Sequence, residues 1–151
     1  MHKNIIVDTS CLIILSKIKE LYLLKLLYEE ILITDVVAKE FNKPLPDWIT
    51  VCPIKFNEKE FLFEKRIDKG EASVIILALE RSNSTIIIDD FKGRALAKEL
   101  GIKVTGTIGI IISAKNKKLI PSIKPILEKI KETNFYISKE LENEAVELAE
   151  E

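Results

Sequence analysis

The stretches Asn4-Ile5-Ile6-Val7-Asp8-Thr9-Ser10 and Thr85-Ile86-Ile87-Ile88-Asp89-Asp90 decide how this chain folds. In each, a β-branched run too short for a helix ends in acid. Such runs, apolar on both faces, read as buried strands of a parallel sheet. Outward from them the pattern alternates. Residues 12–17 and 20–28 read as helices, 31–33 as a strand and 34–41 as a helix capped by Thr34 or Asp35. Residues 50–54 read as an edge strand, because Pro53 interrupts it. Helices follow over 58–67 and 70–81, the strand over 85–88, and a helix over 91–100 closed by Gly101. Residues 103–104 begin a further strand. Residues 107–115 read as a helix, with a strand as the alternative for their isoleucine run. Residues 122–131 read as a helix, 135–137 as extended, and 140–148 as a last helix. The expected class is α/β, a three-layer α/β/α arrangement around a mostly parallel sheet. Residues 1–151 form a single domain in this reading, with a C-terminal helical segment over about 122–151.

Composition removes several chemistries. The chain has 151 residues, 47% hydrophobic and 31% charged, which is globular and not disordered. No uncharged run approaches the ~18 residues of a membrane helix. The N-terminus reaches Asp8 after three apolar residues and does not read as a signal peptide, so the cytoplasm is the expected compartment. There are two cysteines, Cys11 and Cys52, and one histidine, His2. A Cys/His zinc site, a Ser-His-Asp triad and a Cys-His pair therefore all lack parts. Acid–base chemistry would have to come from carboxylates, lysines or metal-bound water.

In a parallel sheet, ligands bind beyond the C-terminal strand ends, where Asp8 and Asp89-Asp90 stand. Two more acids could join them. Glu40 shares a helix face with Val36 and Val37, and an acid on an apolar face has a partner or faces a site. Glu71 follows Gly70 at a helix start. Simpler roles are open to both ends of this set: Asp8 as a helix cap, Glu71 as a favourable charge at a helix N-terminus. Clustered carboxylates cannot all stay ionised without compensation, which a divalent cation supplies. An all-oxygen site without His or Cys selects Mg²⁺ or Mn²⁺, whose chemistry is phosphodiester hydrolysis.

Val7-Asp8-Thr9-Ser10, Val37-Ala38-Lys39-Glu40-Phe41, Gly70-Glu71-Ala72 and Ile88-Asp89-Asp90 together resemble the four acidic motifs of PIN domains. The resemblance is closest to a subgroup with Gly-Glu-Ala and Asp-Asp-x-x-Gly-Arg elements. It implies a metal-dependent ribonuclease, of the kind that serves as toxin in VapBC-type toxin–antitoxin pairs. It implies catalytic acids at Asp8, Glu40, Glu71 and Asp90, and metal ligation by Asp8, Glu40, Glu71 and Asp89 or Asp90. The third acid is commonly Asp in the family; here it is Glu71. Thr9 and Ser10 would support the ligands, or cap locally. Thr107 would cap its helix, whose start could hold a phosphate. The implied partners are RNA and an antitoxin protein. The Asp89-Asp90 ending also resembles phosphoacceptor receiver domains, but no Lys ends a later strand with a partner Thr. A binding module with structural acids is the main alternative function.

Charge is unevenly spread. Residues 92–131 carry 10 basic and two acidic side chains, net +8, and residues 132–151 carry one basic and seven acidic, net −6. The basic block could meet a polyanion. Within it Lys92, Arg94, Lys115, Lys117 and Lys118 are the candidate RNA contacts, with solvated helix ends as the plainer reading. Trp48 and Phe91 could stack on bases, but read first as core or anchor residues. Residues 21–28, Leu-Tyr-Leu-Leu-Lys-Leu-Leu-Tyr, are apolar on more than one face. That pattern predicts a homodimer surface or a fully enclosed core helix.

Overall fold

In the computed structural model, which describes residues 3–55 and 62–151, the apolar runs become five short strands. They are β1 (Asn4–Val7), β2 (Ile31–Thr34), β3 (Ile49–Cys52), β4 (Ser84–Ile87) and β5 (Lys103–Thr105). Eight helices stand among the described residues. They are α1 (Thr9–Lys17), α2 (Tyr22–Tyr28), α3 (Asp35–Phe41), α4 (Lys69–Glu80), α5 (Phe91–Glu99), α6 (Thr107–Asn116), α7 (Lys124–Lys131) and α8 (Lys139–Leu148). The strands form one sheet in the order β3-β2-β1-β4-β5, every pair parallel. Helices cover both faces, giving the three-layer α/β/α fold. No helix of the described residues is long and apolar enough to cross a membrane.

Burial follows the sequence pattern. Ile6, Val7, Ile33, Ile86, Ile87 and Ile88 are fully enclosed, as a strand covered on both faces requires. In α4 every residue from Gly70 to Ala78 is buried, so this helix is part of the core rather than an outer layer. The edge strand β3 stops at Cys52, before Pro53, which has no N–H to offer a ladder. The isoleucine run of α6 is a helix, not a strand; its residues Ile108, Ile110, Ile111 and Ala114 are buried. Residues 135–137 join no strand and connect α7 to α8. The helix expected over 58–67 lies largely outside the described residues. In α2, Leu23 and Leu24 are enclosed, while Tyr22 and Leu26 stand half-exposed.

Connectivity positions the site. The chain leaves β1 towards β2 on one side and returns to β4 on the other, so the β1–β4 boundary is the topological switch point. Val7 is in register with Ile87, and the Asp8 N–H donates to the Ile87 carbonyl at 3.0 Å. The acids that follow β1 and β4 thus emerge side by side.

A buried hydroxyl relay ties the other two acid-bearing helices together. Thr34 is fully buried and caps α3, its Oγ1 accepting from the Val37 N–H at 3.1 Å. Ser73 Oγ lies 2.6 Å from Thr34 Oγ1 and donates to the Gly70 carbonyl at 2.7 Å. Since Ser73 has one proton and spends it on Gly70, Thr34 donates to Ser73. The relay holds the start of α3, whose far end carries Glu40, against the start of α4, which carries Glu71. Thr34→Val keeps the shape but strands the Val37 N–H and one Ser73 lone pair. It should cost about 1–3 kcal/mol in urea denaturation; an unchanged midpoint would show that the relay carries no stability.

Candidate active site

A cleft of about 590 Å³ opens at the switch point, and Asp8, Glu40, Asp68, Glu71, Asp89 and Asp90 all line it. The four sequence motifs are therefore brought to one place, and the third of them also brings Asp68, two residues before Gly70. Sequence reading missed Asp68 because it precedes the Gly-Glu-Ala element. The available signal was the spacing Asp68-x-x-Glu71 at a helix start. Asp68 is the N-cap of α4, its Oδ1 accepting from the Glu71 N–H at 2.8 Å.

Asp8 takes the N-cap position of α1, yet its carboxylate makes no capping bond. It is 5% exposed. Burial, reinforced by Asp68, Glu40 and Asp89, raises it from an ordinary 3.8 to about 7, against the pull of the Thr9 backbone N–H. Glu71 does sit in the first turn of α4, where the helix favours a negative charge. Burial nevertheless wins. Glu71 is 5% exposed, and its Oε2 has no hydrogen-bond partner among the described residues. Burial, then the adjoining Asp68 carboxyl, then Asp90 and Asp8, lift it from 4.5 to about 9.

The remaining acids are tethered. Thr9 Oγ1 donates to Glu40 Oε1 at 2.7 Å. Asp89 has both oxygens engaged: Oδ1 accepts from the Thr107 N–H at 2.7 Å, and Oδ2 from Thr107 Oγ1 at 2.6 Å and Ser10 Oγ at 3.1 Å. Thr107 is thus not the cap of its own helix. Gly106 holds the N-cap position, and Asp89 supplies the acceptor from the neighbouring strand end. Asp90 caps α5, with both its hydrogen bonds, from the Lys92 and Gly93 N–H groups, falling on Oδ2.

The motif glycines have a spatial reason. A Cβ on Gly93 would meet Glu71 Oε2 at 2.7 Å and the Ile88 side chain at 3.0 Å. One on Gly106 would meet Asp89 Oδ1 at 2.9 Å, and one on Gly70 would overlap the Glu40 carboxylate. Each glycine makes room for one acid.

The cationic candidates are dispersed. Lys92 is exposed beside Asp90, and the Arg94 guanidinium approaches Gly106. Lys115, Lys117 and Lys118 stand at the opposite end of α6, roughly 15 Å of helix from Thr107. The Lys115 ammonium donates to the Ala149 carbonyl at 2.7 Å. Trp48 is half-buried and meets the Tyr22 ring edge-on. Phe91 is not a core residue: it is 83% exposed at the cleft rim. The inward stripe of α5 is Gly93, Leu96 and Ala97, and Phe91 falls off that spacing.

The sequence profile of the PIN-domain family matches residues 4–151, and the chain belongs to that family. PIN domains are generally nucleases and usually use divalent metals. No curated protein sequence matches the chain. The donor set fits such a cation in chemistry, being all carboxylate with an unpartnered, enclosed oxygen on Glu71. Its spacing is open: among the described residues no three acidic, thiol or imidazole side chains stand close enough to hold a metal ion together.

The raised acids set a pH dependence. The folded chain holds a proton on Asp8 up to about 7 and on Glu71 up to about 9, whereas the unfolded chain releases both near their ordinary 3.8 and 4.5, so stability falls as pH rises from about 4, first through both groups and above about 7 through Glu71 alone. In chelator at pH 8.5, Glu71→Gln should melt about 5 °C above wild type, and the difference should vanish near pH 4. A variant that melts below wild type at pH 8.5 would contradict the account.

Proposed function

We propose that this chain is a Mg²⁺- or Mn²⁺-dependent endoribonuclease that hydrolyses RNA phosphodiester bonds. The observation that carries the reading is the enclosure of Asp8 and Glu71, both held partly protonated, among four further acids in one cleft. Such an arrangement costs stability and is retained where the carboxylates have work to do. Asp8, Glu40, Glu71 and Asp90 would hold the cation, which supplies charge neutralisation for the phosphate and acidification of water. Asp89, with both oxygens taken by Thr107 and Ser10, acts as the brace that joins β4, α6 and α1. Thr9 orients Glu40. Lys92 and Arg94, beside the cleft, would meet the RNA backbone close to the reaction.

On this reading the chain works in the cytoplasm as the toxin of a type II toxin–antitoxin pair, with an antitoxin protein as partner. Induced expression should then arrest growth unless Asp8 is replaced. The half-exposed Tyr22 and Leu26 of α2 would form part of a homodimer surface. A concentration-independent monomer mass in solution would remove that surface.

The open spacing of the acids favours a second reading, a binding module that holds RNA or protein without cleaving it. Labelled RNA separates the two. Wild type should cleave it with Mn²⁺ and not in chelator, and Asp8→Asn or Asp90→Asn should lower the rate at least about 100-fold. Tight binding with no metal-dependent cleavage of any RNA would favour the module.

Replacing Lys115, Lys117 and Lys118 together should weaken binding of long RNA and flatten its salt dependence. Cleavage of a short oligomer should survive, because these side chains stand a helix length from the cleft. Equal loss on short and long RNA would contradict that placement.

A further inference from the structure

Large apolar side chains at a surface are ordinary when scattered singly. Phe91 and Tyr136 are neither ordinary nor scattered. They are 83% and 82% exposed, against 57% for Leu62, the next most exposed large apolar residue among those described. Both border the carboxylate cleft. They reach it from unrelated parts of the chain. Phe91 is the first residue of α5, directly after the Asp90 cap, and Tyr136 comes from the connection between α7 and α8.

We propose that Phe91 and Tyr136 are stacking platforms for unpaired nucleobases, and that they position a single-stranded nucleic acid over the carboxylate cleft. The proposal rests on the nuclease reading for the purpose of the cleft, and adds which side chains hold the substrate and in what form. An exposed ring presents a flat face that any base can cover, whereas duplex bases have no face free to offer. Phe91 is flanked by Asp90 and Lys92; Tyr136 lies between the half-buried Phe135 and Ile137, with exposed Asn134 close by, and the cleft both rings border is lined by six carboxylates. Rings set among polar groups suit a ligand whose flat apolar faces alternate with charged links. A protein-docking surface would need a more continuous apolar patch.

The test measures binding of the full chain in chelator, where no hydrolysis intervenes. The probes are a fluorescent single-stranded 12-nucleotide oligouridine and an abasic oligomer with the same number of phosphates. Wild type should prefer the base-bearing oligomer. Phe91→Ala and Tyr136→Ala should each weaken its binding about fivefold or more, leave the abasic oligomer unaffected and leave the salt slope unchanged. Phe91→Trp and Tyr136→Phe should retain the preference. A wild type that does not distinguish the two oligomers would overturn the proposal. So would alanine variants that bind oligouridine as wild type does, or that alter only the solution mass of the chain, which would make the rings a protein contact. If an alanine variant fails to fold, the abasic comparison on wild type and the Trp and Phe variants decide. Base preference without metal-dependent cleavage would sustain the stacking and sink the nuclease; cleavage without base preference would do the reverse.

Discussion

A carboxylate removed from water must find a partner or give up its charge, and Glu71 does neither cheaply. It sits in the first turn of α4, which is buried from Gly70 to Ala78, with one oxygen enclosed and without a hydrogen-bond partner among the described residues, and three other acids push its affinity for a proton upward. Asp8 shares the predicament from the end of β1. Around this pair the rest of the local structure is a set of tethers. Thr9 holds Glu40, Thr107 and Ser10 hold Asp89, and the N–H groups of α5 hold Asp90. The tethers leave Asp8 and Glu71 as the two acids with least compensation from the protein itself.

The fold supplies that setting through two simple features. A parallel sheet whose strand order reverses between β1 and β4 leaves a crevice there, and the chain places acids on both tips. Close packing then does the rest. The absent side chains of Gly70, Gly93 and Gly106 let three carboxylates approach the backbone of neighbouring helices. At Gly93 the consequence is chemical: the room it leaves admits the buried Glu71, whose proton affinity burial raises.

Much of this was legible from sequence. The strands that end in Asp8 and Asp89-Asp90 are short β-branched runs, and the parallel-sheet rule places their ends together whatever the surrounding detail. Glu40 was marked by sharing a helix face with Val37. The rest depended on contacts between distant segments. Only the arrival of Thr107, 18 residues on, shows that Asp89 is the braced acid and Asp90 the more open one. Asp68 carried a capping signal that reads as local structure until the helix is docked. Phe91 was misread because a large apolar ring is usually interior; its position off the Gly93–Leu96–Ala97 stripe held the contrary signal. Tyr136 lies in a connection without periodic pattern, and nothing in its neighbours announces the cleft. Lys115 stood out as part of a basic run, whereas its bond to the Ala149 carbonyl exists only in the folded chain.

A divalent cation bound as proposed would have to displace the protons that Asp8 and Glu71 hold. Calorimetric titration of Mn²⁺ at pH 7, repeated in buffers of different ionisation enthalpy, counts the protons released on binding. The account predicts release of about one proton or more per Mn²⁺ bound, and less from Glu71→Gln. Mn²⁺ binding without proton release, or no binding by the folded wild-type chain, would contradict it.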